Sequence, residues 1–594
     1  MPVPRPPIEL RALALATRYP LRRADASLMR LELHTVLMRH SANFALAALI
    51  GSALALAPIR VLQAQTTPQS EATAAEIDSM FARWATQRSP GCAVGVSRDG
   101  RVLLSRAYGM ANLEYGVPNT TETIFESGSV AKQFTAASVV LLARQGKLSL
   151  EDDVRKYFPE LPSYGETIRI RHLLNHTSGL RDWGTMADIE GWPRGSRSHT
   201  QRDVLAIIVR QQSLNFPPGT EYSYSNSNYS LAALLVERVS GTSLSEFTRQ
   251  HIFEPLRMTR SSWRDDFTRV VADRATAYSK EGDQWHMEMP FENAHGHGGM
   301  LTTIGDLLKW SQNFADTAVG GAMMRDAMLT RGTINSGARI RYALGVTVSS
   351  HRGVPEISHS GSTAGYRAYL LRYPDQRLAI ALLCNAADVP TGRIVRQIAD
   401  RYLGLPAAVP HAANGVRLSP AQLSSKAGLY RNRRNHTATT LVARDGTLYS
   451  DEGQRLHAID SRTFFVGDDT TERLIFLDAP GKPTEIVDPT ADGDTTRYVR
   501  VDPWTPTAAD LAQLAGSYWS DEANATYRLS VQGGKLILRP PRAHAIMLTP
   551  TWKDAFVASD EGSPVWFHRD ARGRVTTMSI GFTRARDVRF RRTM

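Results

Sequence analysis

From residue 418 onward the chain repeats itself, and that repeat constrains its architecture more than any other feature. Ala427-Gly428-Leu429-Tyr430 returns as Ala515-Gly516-Ser517-Tyr518, and Asp445-Gly446-Thr447-Leu448 returns at the same offset as Gly533-Gly534-Lys535-Leu536. Phe465-Val466 and Phe476 correspond to Phe556-Val557 and Phe567 at an offset of 91 rather than 88. Each copy opens on a short polar helix start, Ser419-Pro420-Ala421-Gln422-Leu423 and Thr507-Ala508-Ala509-Asp510-Leu511, then runs as short strands broken by Gly and Asp turns. Short strands in so small a unit need their edges closed, so each copy is expected to be a small antiparallel β-barrel. Two copies are too few for a solenoid. The barrels occupy 418–503 and 504–594, behind a Pro/Ala linker over 406–417.

Upstream, the pattern is different. An alternating hairpin, Ala93-Val-Gly-Val-Ser97, turn Arg98-Asp99-Gly100 and Val102–Tyr108, precedes a helix expected over 129–146 and a long mixed stretch with several short helices to about Asn313. Strand signals return at 343–349, Tyr366–Tyr373 and Leu378–Cys384, followed by a helix near Arg393–Leu403. Strands at both ends with helices between predict one α/β domain over 70–405, its sheet closed by its own ends.

Residues 1–64 carry eight Arg against Glu9, Asp25 and Glu32, so part of the +12 formal charge sits there. Met38-Arg39-His40, an apolar run from Phe44 to Ala57 and Leu62-Gln63-Ala64 predict a cleaved secretory signal, with residues 1–37 an upstream extension and Met29 or Met38 an alternative start. The apolar run spans about 21 Å, short of the ~30 Å hydrocarbon core, so a membrane anchor is the weaker alternative and a secreted or periplasmic location the expectation. Basic residues form no run interleaved with aromatics, which argues against nucleic acid. Cys92 and Cys384 both lie in apolar strand-like runs, and two buried free thiols are expected in preference to a bridge.

The chemistry begins at Ser129-Val130-Ala131-Lys132. Positions i and i+3 share a helix face, so a Lys amine there reaches the Ser oxygen. A serine hydroxyl needs an adjacent base, and Lys serves only if desolvation strips its proton; the apolar flank from Phe134 supplies that setting. Alone the pair carries little weight. Tyr224-Ser225-Asn226 in a polar loop before a helix over Leu231–Val239, and His359-Ser360-Gly361 with Ser362 at the start of a strand pair, complete a set. No G-x-S-x-G elbow, P-loop or zinc spacing occurs. His172 and His176 are expected to pack rather than to catalyse, as are Asn228 and Tyr229. Asp152-Asp153 is expected to be a solvated turn, and His295-Gly-His297 lacks a companion carboxylate helix for a metal.

Ser-x-x-Lys, Tyr-x-Asn and [Lys/His]-x-Gly in this order resemble the serine β-lactamase and D-Ala-D-Ala carboxypeptidase family, over about residues 75–405. His172–Leu180 and Gly298–Leu308 also look like that family. The resemblance implies an antiparallel sheet flanked by helices with an all-helical region, here followed by two lipocalin-like barrels. It also implies an acyl-enzyme on Ser129, with Lys132 and Tyr224 sharing base and acid duties and Asn226 orienting Lys132 and the substrate amide. His359 would back up Tyr224, Gly361 and Ser362 would help hold the substrate, and the N–H groups of Ser129 and Ser362 would form the oxyanion hole. No cofactor or metal is implied.

One departure matters: the third motif carries His359 where most β-lactamases and transpeptidases carry Lys, which there attracts a substrate carboxylate. The doubled barrel resembles the D-aminopeptidase type. A D-aminopeptidase or D-amino-acid amidase is therefore expected, acting on an amide, ester or short peptidoglycan-type peptide. A family VIII-type esterase, a class C-like β-lactamase or carboxypeptidase, and an inactive binding protein are the alternatives. An aminopeptidase should face its substrate ammonium with an acid, which no motif identifies. One barrel is expected to lay a loop across the Ser129 pocket. The oligomeric state is left open, a homodimer included.

Overall fold

The computed structural model describes residues 68–406, 416–466, 469–489, 494–559 and 562–593. The expected signal segment and most of the linker lie outside them. Among the described residues no helix is long and apolar enough to cross a membrane.

The part before the linker is built on strands β1 (Cys92–Arg98), β2 (Arg101–Tyr108), β3 (Phe125–Glu126), β4 (Ser262–Trp263), β5 (Met300–Thr302), β6 (Thr347–His351), β7 (Val354–Thr363), β8 (Tyr366–Tyr373) and β9 (Leu378–Cys384). Its helices include α1 (Pro68–Met80), α2 (Lys132–Arg144), α3 (Trp183–Glu190), α4 (Asn226–Ser240), α5 (Ile304–Asp316) and α6 (Thr391–Leu403). The main sheet has the order β6-β7-β8-β9-β1-β2, so the two ends of the domain meet at β9 and β1. β3, β5 and β4 make a small second sheet beside it.

β9 shows why the sheet is central. All of its residues are buried, and their alternation divides them between two cores. Ala379, Ala381 and Leu383 face a core that includes α2 and α5, whereas Leu378, Ile380, Leu382 and Cys384 face one that includes α1 and α6. A strand covered on both faces reads as a continuous apolar run, as this one does. The β9–β1 register sets Cys92 directly opposite Cys384, and the two form a disulfide. The expectation of two free thiols is thereby corrected; the pairing depends on a register between chain ends far apart in sequence.

Other elements lie close to the expected positions, with shifted ends. The strand expected at 343–349 runs over Thr347–His351. His359 lies in the second half of β7 rather than at its start. The helix expected from Leu231 begins at Asn226, where Asp182 Oδ2 accepts the Asn226 N–H at 2.6 Å. That tertiary cap overrides the poor helix propensity of Asn-Ser-Asn.

Each C-terminal repeat is a closed barrel, formed between Gly428 and Val501 and between Gly516 and Thr593. The repeat is kept in detail. Ser419 with Gln422 and Thr507 with Asp510 form capping boxes. Tyr430 Oη donates to the Lys426 carbonyl at 2.7 Å and Tyr518 Oη to the Leu514 carbonyl at 2.8 Å. Gly428 and Gly516 have φ of 146° and 147°, and a Cβ on either would press on the guanidinium of Arg500 or Arg592.

Candidate active site

Ser129 lies in a 3₁₀ turn, Gly128–Ala131, that leads into α2. The turn packs backbone to backbone against β7. A Cβ on Gly128 (φ +50°) would sit 2.6 Å from Ser362 N, and one on Gly361 would sit 2.1 Å from the Ser127 carbonyl oxygen. Two glycines are therefore required for the approach that brings Ser129 and Ser362 together.

Lys132 is completely buried. Its Nζ lies 3.1 Å from Ser129 Oγ, 2.8 Å from Asn226 Oδ1 and 2.6 Å from the His297 carbonyl oxygen. It also lies 4.7 Å from the centre of the Tyr224 ring. Burial first, and the charge of Arg584 second, hold this amine well below the ordinary ammonium range. Asn226 Oδ1 and the His297 carbonyl oxygen both accept from it, and on losing a proton it would have a lone pair to offer the Ser129 hydroxyl.

Tyr224 responds in the opposite sense. Burial pushes its phenol up, while its hydrogen bond with Ser129 and the charge of Arg584 pull it back. The group is a neutral phenol touching Ser129. Below it lies His176, whose ring centre is 4.3 Å from that of Tyr224 and whose Nδ1 accepts the Ser225 N–H at 3.2 Å. His176 thus packs, as expected of it, but directly under a site residue. His172 Nδ1 instead accepts the Arg169 N–H at a helix start.

His359 is fixed by two bonds. Its Nδ1 donates to the Ser360 carbonyl at 2.6 Å, so its Nε2 accepts the Tyr342 hydroxyl at 2.8 Å. Its ring centre is 6.2 Å from that of Tyr224, so its hydrogen-bond partner is Tyr342 rather than Tyr224. Burial, then the Lys132 amine, lower it to about 4, and it carries no charge at neutral pH.

Ser129, Tyr224, Asn226, His359 and Ser362 line one cavity of about 470 Å³, with Arg194 and Arg584 as its guanidinium groups. Lys132 is not among its lining residues but touches Ser129, which is, and Gly361 packs against Ser127. Arg194 is held by Glu292, which with Glu126, Arg264 and Arg274 forms a buried ion network behind β3. No Asp or Glu lines the cavity, so the acid expected to face a substrate ammonium is not among its lining residues. Among the described residues no group of three His, Cys, Asp or Glu could hold a metal ion.

Both barrels reach the site. The loop after Ile580 of the second barrel delivers Arg584, whose guanidinium carbon lies 4.9 Å from the centre of the Tyr224 ring. Arg586 and, from the first barrel, Arg434 both pair with Glu221, and Asp494 accepts the Tyr222 N–H at 3.1 Å. The segment carrying Tyr224 is thus clamped from both sides. Asp182, Tyr342, Arg194 and Arg584 belong to no motif, and His176 comes from the family-like stretch His172–Leu180.

The β-lactamase family profile matches residues 77–404. The D-aminopeptidase of Brucella anthropi is 28% identical over 539 residues, 85% of this chain and 96% of its own. The D-aminopeptidase of Gluconobacter oxydans is also 28% identical, with the same coverage. Among solved structures, the octameric penicillin-binding protein homologue of Pyrococcus abyssi superposes with a TM-score of 0.52 at 21% identity, covering 80% of this chain and 99% of its own. SurE superposes with a TM-score of 0.51 at 21% identity, covering 73% and 99%. A three-motif site on a helix-flanked antiparallel sheet, matched by that profile over more than half the chain, makes this protein a member of the β-lactamase family and a serine hydrolase.

Proposed function

We propose that the enzyme hydrolyses amides or short peptides of D-amino acids through an acyl-enzyme on Ser129. The observation that carries the mechanism is the position of the Lys132 amine, completely buried and 3.1 Å from Ser129 Oγ, where desolvation lowers its affinity for a proton. The neutral amine takes the Ser129 proton as Oγ attacks the substrate carbonyl carbon. The carbonyl oxygen becomes an oxyanion facing the N–H groups of Ser129 and Ser362, each worth ~3–4 kcal/mol of barrier in comparable sites. The new ammonium is held by Asn226 Oδ1 and the His297 carbonyl. Collapse breaks the C–N bond, and a proton passes from Lys132 through the Tyr224 hydroxyl to the leaving nitrogen. Water, deprotonated by the same pair, then attacks the ester, and Ser129 recovers its proton.

Near-full-length similarity to two D-aminopeptidases supports the D-configured substrate class. The Arg584 loop over Tyr224 supports a site closed to long chains. Export is supported by the basic and apolar segment before residue 64 and by the Cys92–Cys384 disulfide, a bond favoured in oxidising compartments.

The test is a panel of D- and L-amino-acid p-nitroanilides and amides. A kcat/KM ratio of at least tenfold in favour of the D series, abolished with all turnover in Ser129→Ala, is the expected result. Equal rates on both series would remove the stereochemical reading, and turnover retained in Ser129→Ala would remove the mechanism.

A further inference from the structure

Among the described residues, one cation of the cavity over Ser129 has no acceptor of its own. Arg194 is committed to Glu292 and Lys132 to its three oxygen partners. The Arg584 guanidinium has no hydrogen-bonding or ion-pair acceptor among the described residues; its neighbour is the Tyr224 ring.

The backbone beneath it, by contrast, is tied down. The Arg584 carbonyl accepts the Asp182 N–H at 3.0 Å and Asn215 Nδ2 at 3.1 Å, and the Arg586 N–H donates to Asn215 Oδ1 at 2.7 Å. Ala585 between them is completely buried. A fixed base carrying an unpaired planar fork is a preorganised receptor for an anion, and a guanidinium matches a carboxylate with two parallel N–H···O bonds.

Its position indicates which part of the substrate it meets. Tyr224 is the group that hands the proton to the leaving nitrogen, and Arg584 stands over the Tyr224 ring. The third motif, where a Lys would provide the charge for a substrate carboxylate, here provides an uncharged imidazole bonded to Tyr342. No lining Asp or Glu competes for Arg584 or offers an ammonium a partner.

We propose that Arg584, delivered by the second barrel, is the specificity residue that binds a free carboxylate on the leaving-group side, so that the preferred substrates are short peptides ending in a C-terminal carboxylate. The proposal rests on the reading of Ser129 as the acylated nucleophile.

The test uses the full chain and the dipeptide D-Ala-D-Ala with its C-terminal amide, each with and without an N-acetyl group. In the wild-type protein kcat/KM for the acid exceeds that for the amide by at least tenfold. In Arg584→Gln the acid/amide ratio falls to within about twofold of one, and Arg584→Lys, which keeps the charge but not the fork, gives an intermediate ratio. A wild-type enzyme indifferent to the carboxylate, or a ratio unchanged in Arg584→Gln, overturns the inference while leaving the nucleophile intact. Failure of Ser129 to acquire an acyl group even from an activated ester overturns the reading beneath it as well.

Discussion

Asp182 donates its backbone N–H to the Arg584 carbonyl at 3.0 Å, and its carboxylate accepts the N–H of Asn226 at 2.6 Å. One residue therefore joins the start of the helix that carries the second motif to the barrel loop that covers the pocket. The same carboxylate caps α3 by accepting the Thr185 N–H at 3.1 Å. Asp182→Ala removes a cap and leaves the buried Asn226 N–H unsatisfied. A stability loss of about 2–4 kcal/mol is expected, with kcat reduced more than KM is raised, since Asn226 would no longer hold Lys132. Thermal unfolding and steady-state kinetics on one substrate check both.

Lys132 gives a pH-dependent prediction. Burial lowers the affinity of its amine for a proton, so between its lowered folded value and the ordinary unfolded value near 10.5 the unfolded chain binds up to one more proton. Stability from this group therefore rises with pH, at up to about 1.4 kcal/mol per pH unit. Lys132→Met abolishes turnover and also removes this dependence. Its melting temperature relative to the wild type should be more favourable at pH 6 than at pH 9. A difference of the opposite sign would mean that Lys132 is buried as an ammonium.

The catalytic pairings were legible in the sequence to the extent that they are local. Ser129 and Lys132 share one helical turn, and Tyr224 and Asn226 flank one helix start, so spacing alone brings their side chains together. His359 was legible as a residue but its hydrogen-bond partner was not, because Tyr342 enters from outside the sheet. Arg584 left no signal at all: it is one Arg among many, and only the docking of the second barrel brings it over Tyr224. The Cys92–Cys384 pairing was missed for a related reason, since alternation identifies buried strand positions without fixing which strands are neighbours.

The docking of that barrel rests on a buried ion pair, Arg181 with Glu522 at 2.8 Å, in which both side chains are almost wholly buried. Arg181 also donates to the carbonyls of Arg586 and Asp587. Glu522→Ala strands a buried guanidinium and should cost about 3–5 kcal/mol. Because the Arg584 loop hangs on the same contacts, the acid/amide preference should weaken in parallel. A destabilised variant with the preference intact would separate the clamp from specificity.

The disulfide ties β1 to β9 across the join of the domain's two ends. Replacing both cysteines by alanine should lower stability by about 2–4 kcal/mol and leave the site geometry in place. Thiol titration in denaturant should find no free thiol in the oxidised protein, and two after reduction.

The most direct test of the account is the acylation of Ser129 itself. Intact-mass and peptide mass spectrometry after brief exposure to a neutral activated ester should find one acyl group per chain, on the peptide containing Ser129. The adduct should be absent in Ser129→Ala and form at least a thousandfold more slowly in Lys132→Met. An adduct on another residue, or one that forms equally fast without Lys132, would contradict a Lys-activated serine at the centre of this enzyme.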